Sequence, residues 1–366
     1  MGFALSLPRL VLDTGAITGL AGELAALGIK RPLLVSDAGL ARLGHVERVA
    51  GQIGTRHAVF TDVPENPTSA GVEAALAAYS AGTCDAIVAL GGGSVIDTGK
   101  LVAVLAAQGG RPADYLGYPG RVKAAAPIVV IPTTAGTGSD SSPDAGIHPD
   151  ANSLSSGITS RHVVPRLALC DPELTRTLPP GLTAATGLDA ISHCVEGFLA
   201  KGDNPLADAI ALDGLSRAWL WIEKATHLGA DLEARGHMML AAFEGGIAIA
   251  KGLGPAHAIA ISCGDQGLHH GRLSALGLLA TMEFARETQP AKYRALGQAV
   301  GLDDFHRGLL ALMRRLGLPV TLGGLGYRTA SLDALALACA ESHFNLTAPV
   351  APGVSQYREM LTSILE

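Results

Sequence analysis

The sequence predicts an N-terminal α/β domain built on a parallel sheet, followed by a C-terminal domain made only of helices. In the first half, short apolar runs alternate with helical patterns rich in Ala and Leu, as expected for parallel strands covered on both faces. After the Pro-Pro-Gly stretch 179–181, strand-like runs nearly vanish and long helical patterns continue to Leu365. The predicted boundary therefore lies near residue 180, with domains of residues 1–180 and 181–366.

Four apolar runs in the first half are predicted to be buried strands because they are short, continuous and bounded by turn residues. They are Arg31–Ser36, Asp85–Leu90, Pro127–Ile131 and Leu167–Cys170. Ala70–Ala81 and Val95–Gln108 have the residue spacing of helices. In the second half, Thr183–Ala200 has helical periodicity, and His237–Lys251 is apolar on most faces, which is typical of a helix buried in an all-helical domain.

Length and composition restrict the classes of function. The 366 residues, 48% of them hydrophobic, are enough for two buried cores. The formal net charge is -6 without any run of like charges, so neither a nucleic-acid-binding surface nor a membrane-binding patch is predicted. The N-terminus lacks a signal-peptide pattern, and we expect a cytoplasmic protein that acts on a small molecule. The 5 cysteines have no paired spacing and are expected to be reduced.

A glycine-rich turn follows the second predicted strand. Gly91, Gly92, Gly93 and Ser94 lie between this strand and a helix that starts near Val95. Glycines at such a turn let the backbone approach a phosphate closely, and the free N–H groups and the helix dipole favour its charge. The turn is therefore a candidate site for a pyrophosphate. A tight turn without a ligand explains a triple glycine equally well, and the known phosphate-binding fingerprints are not matched.

Two further features favour a nucleotide site. The segment 127–140 is another strand that ends in a loop of Thr, Gly and Ser, and both loops would open at the carboxyl edge of a parallel sheet, where ligands bind. Asp37 follows the strand LLVS, where a carboxylate can hold a ribose hydroxyl and disfavour a phosphate. This position favours NAD over NADP. Capping of the helix that follows is the alternative role for Asp37.

A group of metal-binding side chains is predicted in the second half of the chain. Asp189 and His193 are four residues apart in a helical pattern, so their side chains leave the same face one turn apart. An ordinary surface pair is the alternative, but this stretch is strongly apolar and an unpaired carboxylate there would be costly. His257 and the adjacent pair His269 and His270 follow later in the chain. One Asp with three His suits zinc or ferrous iron, whereas chance clustering among 12 histidines is the alternative.

Several segments together resemble the iron-containing, or group III, alcohol dehydrogenase family. The matching segments are Glu65–Thr68 (ENPT), Gly91–Lys100 (GGGSVIDTGK), Pro132–Asp140 (PTTAGTGSD), Asp171–Val195 and Gly252–Phe284. They occur in the order typical of the family. The resemblance implies a Rossmann-like N-terminal domain followed by a C-terminal helical domain, in the dehydroquinate synthase-like superfold. It also implies a homodimer.

The resemblance assigns roles to particular residues. The metal ligands it implies are Asp189, His193, His257 and His270, with Fe2+ as the expected ion and Zn2+ as the alternative. The cofactor-binding residues it implies are Asp37, Asn66, Gly92, Gly93, Ser94, Asp97, Thr133, Thr134 and Thr137, with NAD as the expected cofactor and NADP as the alternative. The implied reaction is hydride transfer between a metal-bound alkoxide and nicotinamide, which oxidises an alcohol or reduces an aldehyde or ketone.

Three departures from the family pattern affect these expectations. Ile261 stands where many members have a His that is thought to assist proton transfer, so a proton relay through His269 is a hypothesis, and a supporting or surface role is its alternative. Ala151–Ile158 lacks the Lys that many members place near the nicotinamide ribose, and Asp140 replaces a common Glu. The alternative functions are a glycerol dehydrogenase-like or dehydroquinate synthase-like enzyme, or a nucleotide-binding protein that has lost catalysis.

Overall fold

The computed structural model describes residues 3–117, 120–150 and 155–366. Residues 151–154, which belong to the segment that lacks the family's Lys, lie outside the described residues.

The chain forms two compact units. We call the first the α/β unit; it comprises Ser6–Thr134 and Ser139–Thr177. The second, the helical unit, comprises Ala135–Gly138 and Leu178–Glu366, with a short N-terminal piece that ends at Leu5.

The strands of the α/β unit are β1 (Arg9–Leu12), β2 (Pro32–Val35), β3 (Ala58–Phe60), β4 (Ala86–Gly91), β5 (Ile128–Pro132), β6 (Asp144–Ile147), β7 (Ser156–Thr159) and β8 (Leu167–Cys170). Its helices are α1 (Leu20–Ala26), α2 (Ala38–Arg42), α3 (His45–Ala50), α4 (Ser69–Ala81) and α5 (Gly93–Gln108). The helical unit contains α6 (Pro180–Leu199), α7 (Pro205–His227), α8 (Leu232–Ala248), α9 (Pro255–Ser262), α10 (His270–Thr288), α11 (Pro290–Val300), α12 (Phe305–Arg315), α13 (Leu322–Leu325), α14 (Leu332–Glu341) and α15 (Val354–Ser363).

Six strands form a parallel sheet in the order β1-β8-β5-β4-β2-β3. The four inner strands are the four predicted from the sequence, and all their residues are buried. Burial on both faces explains why their apolar runs were continuous. The edge strands β1 and β3 are short and partly exposed, and the sequence pattern did not reveal them.

A two-stranded antiparallel hairpin, β6–β7, stands apart from this sheet. It is anchored by Lys100 of α5, whose side chain is completely buried. Its ammonium group donates hydrogen bonds to the carbonyl oxygens of Ser142, at 2.9 Å, and Asp144, at 2.6 Å.

The helical unit is organised around α6, which packs against α7, α8 and α10. Every residue of α6 from Thr183 to Leu199 is buried. Within the described part of the chain, no residue after Leu178 belongs to a strand, which confirms the predicted α/β-then-helical fold class.

Among the described residues, no single helix is long and apolar enough to cross a membrane. The pair Leu232–Lys251 and Pro255–Gln266, bent by 102°, meets the criteria of length and composition only when its members are taken together. All five cysteines are free thiols.

Candidate metal centre and cofactor loops

Helix α6 presents the first two predicted metal ligands. Asp189 and His193 leave the same face of this buried helix one turn apart, and the two residues are only 2% and 4% exposed. The imidazole Nε2 of His193 lies 3.9 Å from Oδ1 of Asp189. The predicted spacing therefore places a carboxylate and an imidazole together inside the helical unit.

Two further helices bring the other predicted ligands to the same carboxylate oxygen. Nε2 of His257, in α9, lies 4.0 Å from Oδ1 of Asp189, and Nε2 of His270, the first residue of α10, lies 3.9 Å from it. The ligand atoms of Asp189, His257 and His270 all lie within 4.8 Å of one another. All four predicted side chains are thus brought together.

The helices approach each other closely here because Gly271 has no side chain. A Cβ at this position would lie 2.5 Å from the carbonyl oxygen of Ala185 and 3.3 Å from Cβ of Asp189. Any larger residue would push the first turn of α10, and with it His270, away from α6.

Two buried atoms of the cluster indicate that it suits a cation. Oδ1 of Asp189 and Nε2 of His257 make no hydrogen bond to any described residue, although both are shielded from solvent. Buried polar atoms are rarely left without a partner, and a metal ion supplies one to both. Three imidazole nitrogens and one carboxylate oxygen form a donor set typical of ferrous iron or zinc.

Burial and charge hold Asp189 and His193 in the state that binds a metal, whereas His257 would release a proton when it binds one. Burial opposes ionisation of Asp189, but His193, His270 and His257, with a hydrogen bond from Ser274, lower the pKa of this carboxyl group. Burial lowers the pKa of His193 and keeps its ring neutral. Burial would also lower the pKa of His257, but the carboxylates of Glu196 and Asp189 together outweigh burial and raise it.

Two groups that the sequence analysis missed contact the imidazoles on the side away from Asp189. The carbonyl oxygen of Gly136 lies 3.0 Å from Nδ1 of His193, and a carboxylate oxygen of Glu196 lies 2.6 Å from Nδ1 of His257. A backbone carbonyl leaves no signal in a sequence. The sequence does contain a signal for Glu196, because this residue lies seven positions after Asp189 on the apolar α6 and therefore on the same face.

Three other residues lie around the ligands. The ring of Phe344 packs edge-on against that of His257, with 5.8 Å between centroids. Ile261 is half-buried on α9, one turn after His257. His269 is half-buried directly before α10, and its proposed part in proton transfer stays a prediction.

In the α/β unit, the two predicted cofactor loops lie side by side at the carboxyl ends of the adjacent strands β4 and β5. The amide of Thr133 donates a hydrogen bond to the carbonyl oxygen of Gly91, at 3.0 Å. A Cβ at Gly92 would lie 3.3 Å from the side chain of Thr134. Gly92 is the N-cap residue of α5, and no side chain accepts a hydrogen bond from the first N–H groups of this helix.

The other predicted cofactor residues occupy different surroundings. Ser94 donates a hydrogen bond from its hydroxyl group to the carbonyl oxygen of Glu65, which places the loop containing the exposed Asn66 beside the start of α5. Asp97 accepts a hydrogen bond from the amide of Gly146, at 2.8 Å, so one of its oxygens holds the β6–β7 hairpin. Thr137 belongs to the helical unit rather than to the α/β unit.

Asp37 caps the helix that follows it. Its Oδ1 accepts a hydrogen bond from the amide of Leu40, at 2.9 Å, at the start of α2. The alternative considered for this residue is thus confirmed, and its contact with a ribose stays a prediction.

Comparisons with known proteins agree with the geometry. The family model "Iron-containing alcohol dehydrogenase" matches residues 8–172, and that of the C-terminal part of the Fe-containing alcohol dehydrogenase family matches residues 183–365. The chain is 40% identical to a 4-hydroxybutyrate dehydrogenase of Cupriavidus necator over 99% of both chains. It is 32% identical to an NAD-dependent methanol dehydrogenase of Bacillus methanolicus, over 90% of this chain and 91% of that one.

A solved structure of a 1,3-propanediol oxidoreductase has a TM-score of 0.94 to this chain at 27% identity, with 100% of both chains covered. The family models cover almost the whole sequence, which confirms the resemblance drawn from its motifs. The chain belongs to the iron-containing alcohol dehydrogenase family and is an oxidoreductase that acts on alcohols.

Proposed function

We propose that this protein is an NAD-linked dehydrogenase of short primary alcohols that also reduces the matching aldehydes, with a divalent metal held by Asp189, His193, His257 and His270. The observation that carries the proposal is the convergence of three imidazole Nε2 atoms on Oδ1 of Asp189, at 3.9 to 4.0 Å. Membership of the family supports it.

The four side chains fit ferrous iron, with zinc as the alternative. When bound, such an ion supplies Lewis-acid chemistry for the interconversion of alcohol and carbonyl compound. Asp189 contributes the only negative charge among the four ligands, so they offset only part of the charge of a divalent ion. The carbonyl of Gly136 and the carboxylate of Glu196 orient two of the rings.

The proton released from the alcohol needs a route to solvent. Ile261, one turn after His257, cannot carry a proton. We propose that the proton leaves through a ribose hydroxyl of the cofactor and water, with His269, next to the ligand His270, as a hypothetical carrier.

The cofactor proposal is NAD, bound at the carboxyl edge of the sheet. Gly92, Gly93 and Ser94 would present the uncapped start of α5 to the pyrophosphate. Thr133, Thr134 and Thr137 would contact the cofactor from the second predicted cofactor loop, which follows β5. Asp37 would accept a hydrogen bond from the adenosine ribose through the oxygen that does not cap α2, and its charge would disfavour the phosphate of NADP.

Asn66 and Asp97 would complete the cofactor site. Asn66 belongs to the loop held beside Ser94. The second oxygen of Asp97, Oδ1, has no hydrogen-bond partner among the described residues, although it is buried.

For the substrate, we propose an unbranched primary alcohol with a second polar group at its far end, and 4-hydroxybutyrate as the first compound to test. The two relatives that support this choice are named for 4-hydroxybutyrate, at 40% identity, and for 1,3-propanediol, at 27%. Both compounds are short chains with a terminal hydroxyl group and a second polar terminus.

The test combines metal analysis with activity. Protein purified without oxygen is analysed for iron and zinc, and the reduction of NAD and NADP is measured with methanol, 1-propanol, 1,3-propanediol and 4-hydroxybutyrate. We expect stoichiometric metal, a preference for NAD and the highest kcat/KM with one of the two bifunctional compounds. The variant His257→Ala should lose metal and turnover together. Metal-free wild-type protein, or full activity in the variant, would contradict the proposed ligand set.

Three further expectations belong to this proposal. Residues 1–180 would bind the cofactor and residues 181–366 the metal and substrate. The protein would act in the cytoplasm as a homodimer. Sedimentation of the purified protein tests the last point.

A further inference from the structure

Glu196 is a buried carboxylate on which three hydrogen-bond donors converge. It lies on α6, seven residues after Asp189, and is 4% exposed. Its Oε1 accepts from the amide of Ala256, at 2.8 Å. Its Oε2 accepts from the amide of His257, at 3.1 Å, and from Nδ1 of the same residue, at 2.6 Å.

Two of these bonds make Glu196 the cap of another helix. Helix α9 begins at Pro255, which has no N–H group, and its N-cap residue Gly254 provides no side-chain acceptor. The amides of Ala256 and His257 are therefore the first donors of the helix, and both are buried. Glu196 satisfies them from α6, a role normally played by a residue at the helix start itself.

The third bond determines which nitrogen of His257 carries the proton. Because Nδ1 donates to a carboxylate, the neutral ring has its lone pair on Nε2. That atom lies 4.0 Å from Oδ1 of Asp189 and has no partner among the described residues. The backbone amide and the ring of His257 both bind to Oε2 of Glu196, so one oxygen holds the residue at two points.

We infer that Glu196 is a positioning residue of the metal centre: it fixes the first turn of α9, the orientation of the His257 ring and the tautomer that binds a metal. The inference rests on the proposed function, because it requires that His257 is a ligand. Carboxylates that hold a ligating His typically contribute 10-fold to 100-fold to metal affinity, about the size of the effect expected here.

If Glu196 only capped α9, replacing it would lower stability and leave metal affinity unchanged. The variant Glu196→Gln distinguishes this capping role from the positioning role. Glutamine keeps the length of the side chain but has one acceptor oxygen and no charge, so its NH2 group must face either the amide of Ala256 or the two donors of His257. In either orientation the charge-assisted hydrogen bond to Nδ1 of His257 is weakened or lost. Loss of capping lowers stability only, whereas loss of positioning lowers metal affinity.

Asp304→Asn is the matched control. Asp304 caps α12 of the same unit, and its Oδ1 accepts hydrogen bonds from the amide of Arg307 and the hydroxyl group of Tyr293, both at 3.1 Å. The substitution therefore makes the same chemical change, carboxylate to amide, at another capped helix start. It does not touch any of the four proposed ligands.

The experiment measures two quantities on the full-length proteins stripped of metal: the melting temperature without metal, and the dissociation constant for Zn2+ in competition with a chromophoric chelator. We expect both variants to melt at lower temperature than the wild type. Only Glu196→Gln should bind Zn2+ more weakly, by about 10-fold to 100-fold. Equal Zn2+ affinity of Glu196→Gln and wild type would overturn the inference and leave the metal site intact. A wild type that does not bind Zn2+ would overturn the proposed ligand set itself.

A second variant keeps the test decisive if Glu196→Gln does not fold. A Cβ at Gly254 would lie 3.0 Å from Oε1 of Glu196, so Gly254→Ala displaces the carboxylate while its charge remains. We expect Zn2+ affinity to fall several-fold. Unchanged affinity in a folded Gly254→Ala protein would count against the positioning role.

Discussion

The carbonyl oxygen of Gly136 lies 3.0 Å from Nδ1 of His193. This contact orients the imidazole in the same way as Glu196 orients that of His257, because it directs the lone pair of Nε2 towards Asp189. The loop that contains Gly136 passes close to α6: a Cβ on this residue would lie 2.4 Å from the carbonyl oxygen of Thr186. Only glycine allows this approach.

The variant Gly136→Ala should therefore weaken metal binding. Its new methyl group forces the loop away from α6, and the acceptor of His193 moves with it. We expect Zn2+ affinity to fall about 10-fold or more, measured by chelator competition, and kcat to fall with it. Gly22→Ala is the control, since a Cβ there meets nothing within 4 Å. Equal metal affinity in Gly136→Ala and wild type would show that the Gly136 contact does not orient a ligand.

The sequence predicted the inner strands and the pair Asp189 and His193 because both depend on local patterns, whereas His257 and His270 were assigned through the resemblance to the family. Continuous apolar runs identify strands that are buried on both faces, and a four-residue spacing identifies one face of a helix. Gly136 and Glu196 escaped this reasoning for different reasons. Gly136 acts through its backbone, and Glu196 acts on a residue that is distant in sequence. The edge strand β3, three residues long and partly exposed, had too little apolar pattern to be recognised.

Lys100 should be essential for the stability of the α/β unit. Its side chain is completely buried, and its charge is close to Asp97, Asp144 and Asp140. Lys100→Met would leave these carboxylates without a cation, which costs about 3 to 5 kcal/mol of the free energy of unfolding. Denaturant unfolding at pH 8 checks this prediction, and Lys30→Met, at an exposed position, should change stability by less than about 0.5 kcal/mol.

The loss of stability in Lys100→Met should depend on pH. Burial raises the pKa of Asp140 and of Asp144 to about 6 each, although Lys100 acts in the opposite direction. Without Lys100 these pKa values rise further, so acidification neutralises the carboxyl groups in the folded protein. The loss of stability in Lys100→Met should therefore be smaller at pH 5.5 than at pH 8. An equal loss at both values would argue against an electrostatic cause.

Glu244 should make the protein less stable as the pH rises. Burial, followed by a hydrogen bond with Asp213, raises the pKa of Glu244 from 4.5 to about 8, although Arg217 opposes this shift. Between these two values the folded protein retains a proton that the unfolded chain has released. The contribution of Glu244 to stability is therefore complete below pH 4.5 and is lost as the pH rises to about 8.

The variant Glu244→Gln mimics the protonated side chain and should remove this part of the pH dependence. Between pH 5 and pH 8.5, the full shift would correspond to about 4 kcal/mol. Because solvent screens this partly exposed group, we expect the free energy of unfolding of the wild type to fall by about 1 kcal/mol more than that of the variant. Glu233→Gln, at a position whose side chain is 66% exposed, should follow the wild-type curve. Parallel curves for Glu244→Gln and wild type would contradict the raised pKa.

Ile261 offers a test of how the proton leaves the site. It lies four residues after His257 on α9, so a side chain at this position leaves the same face of the helix one turn away. An imidazole there must be neutral to accept the proton of an alcohol, and its ordinary pKa is about 6.5. In Ile261→His, the rate of alcohol oxidation should therefore increase as the pH rises through about 6.5 and then reach a plateau. This increase in rate should be smaller than the ~10²-fold that a fully positioned acid–base group contributes. The pH dependence of kcat checks this, with Ile261→Asn as a polar control that does not titrate. The same inflection in Ile261→Asn, or none in Ile261→His, would show that this face of α9 lies outside the proton route.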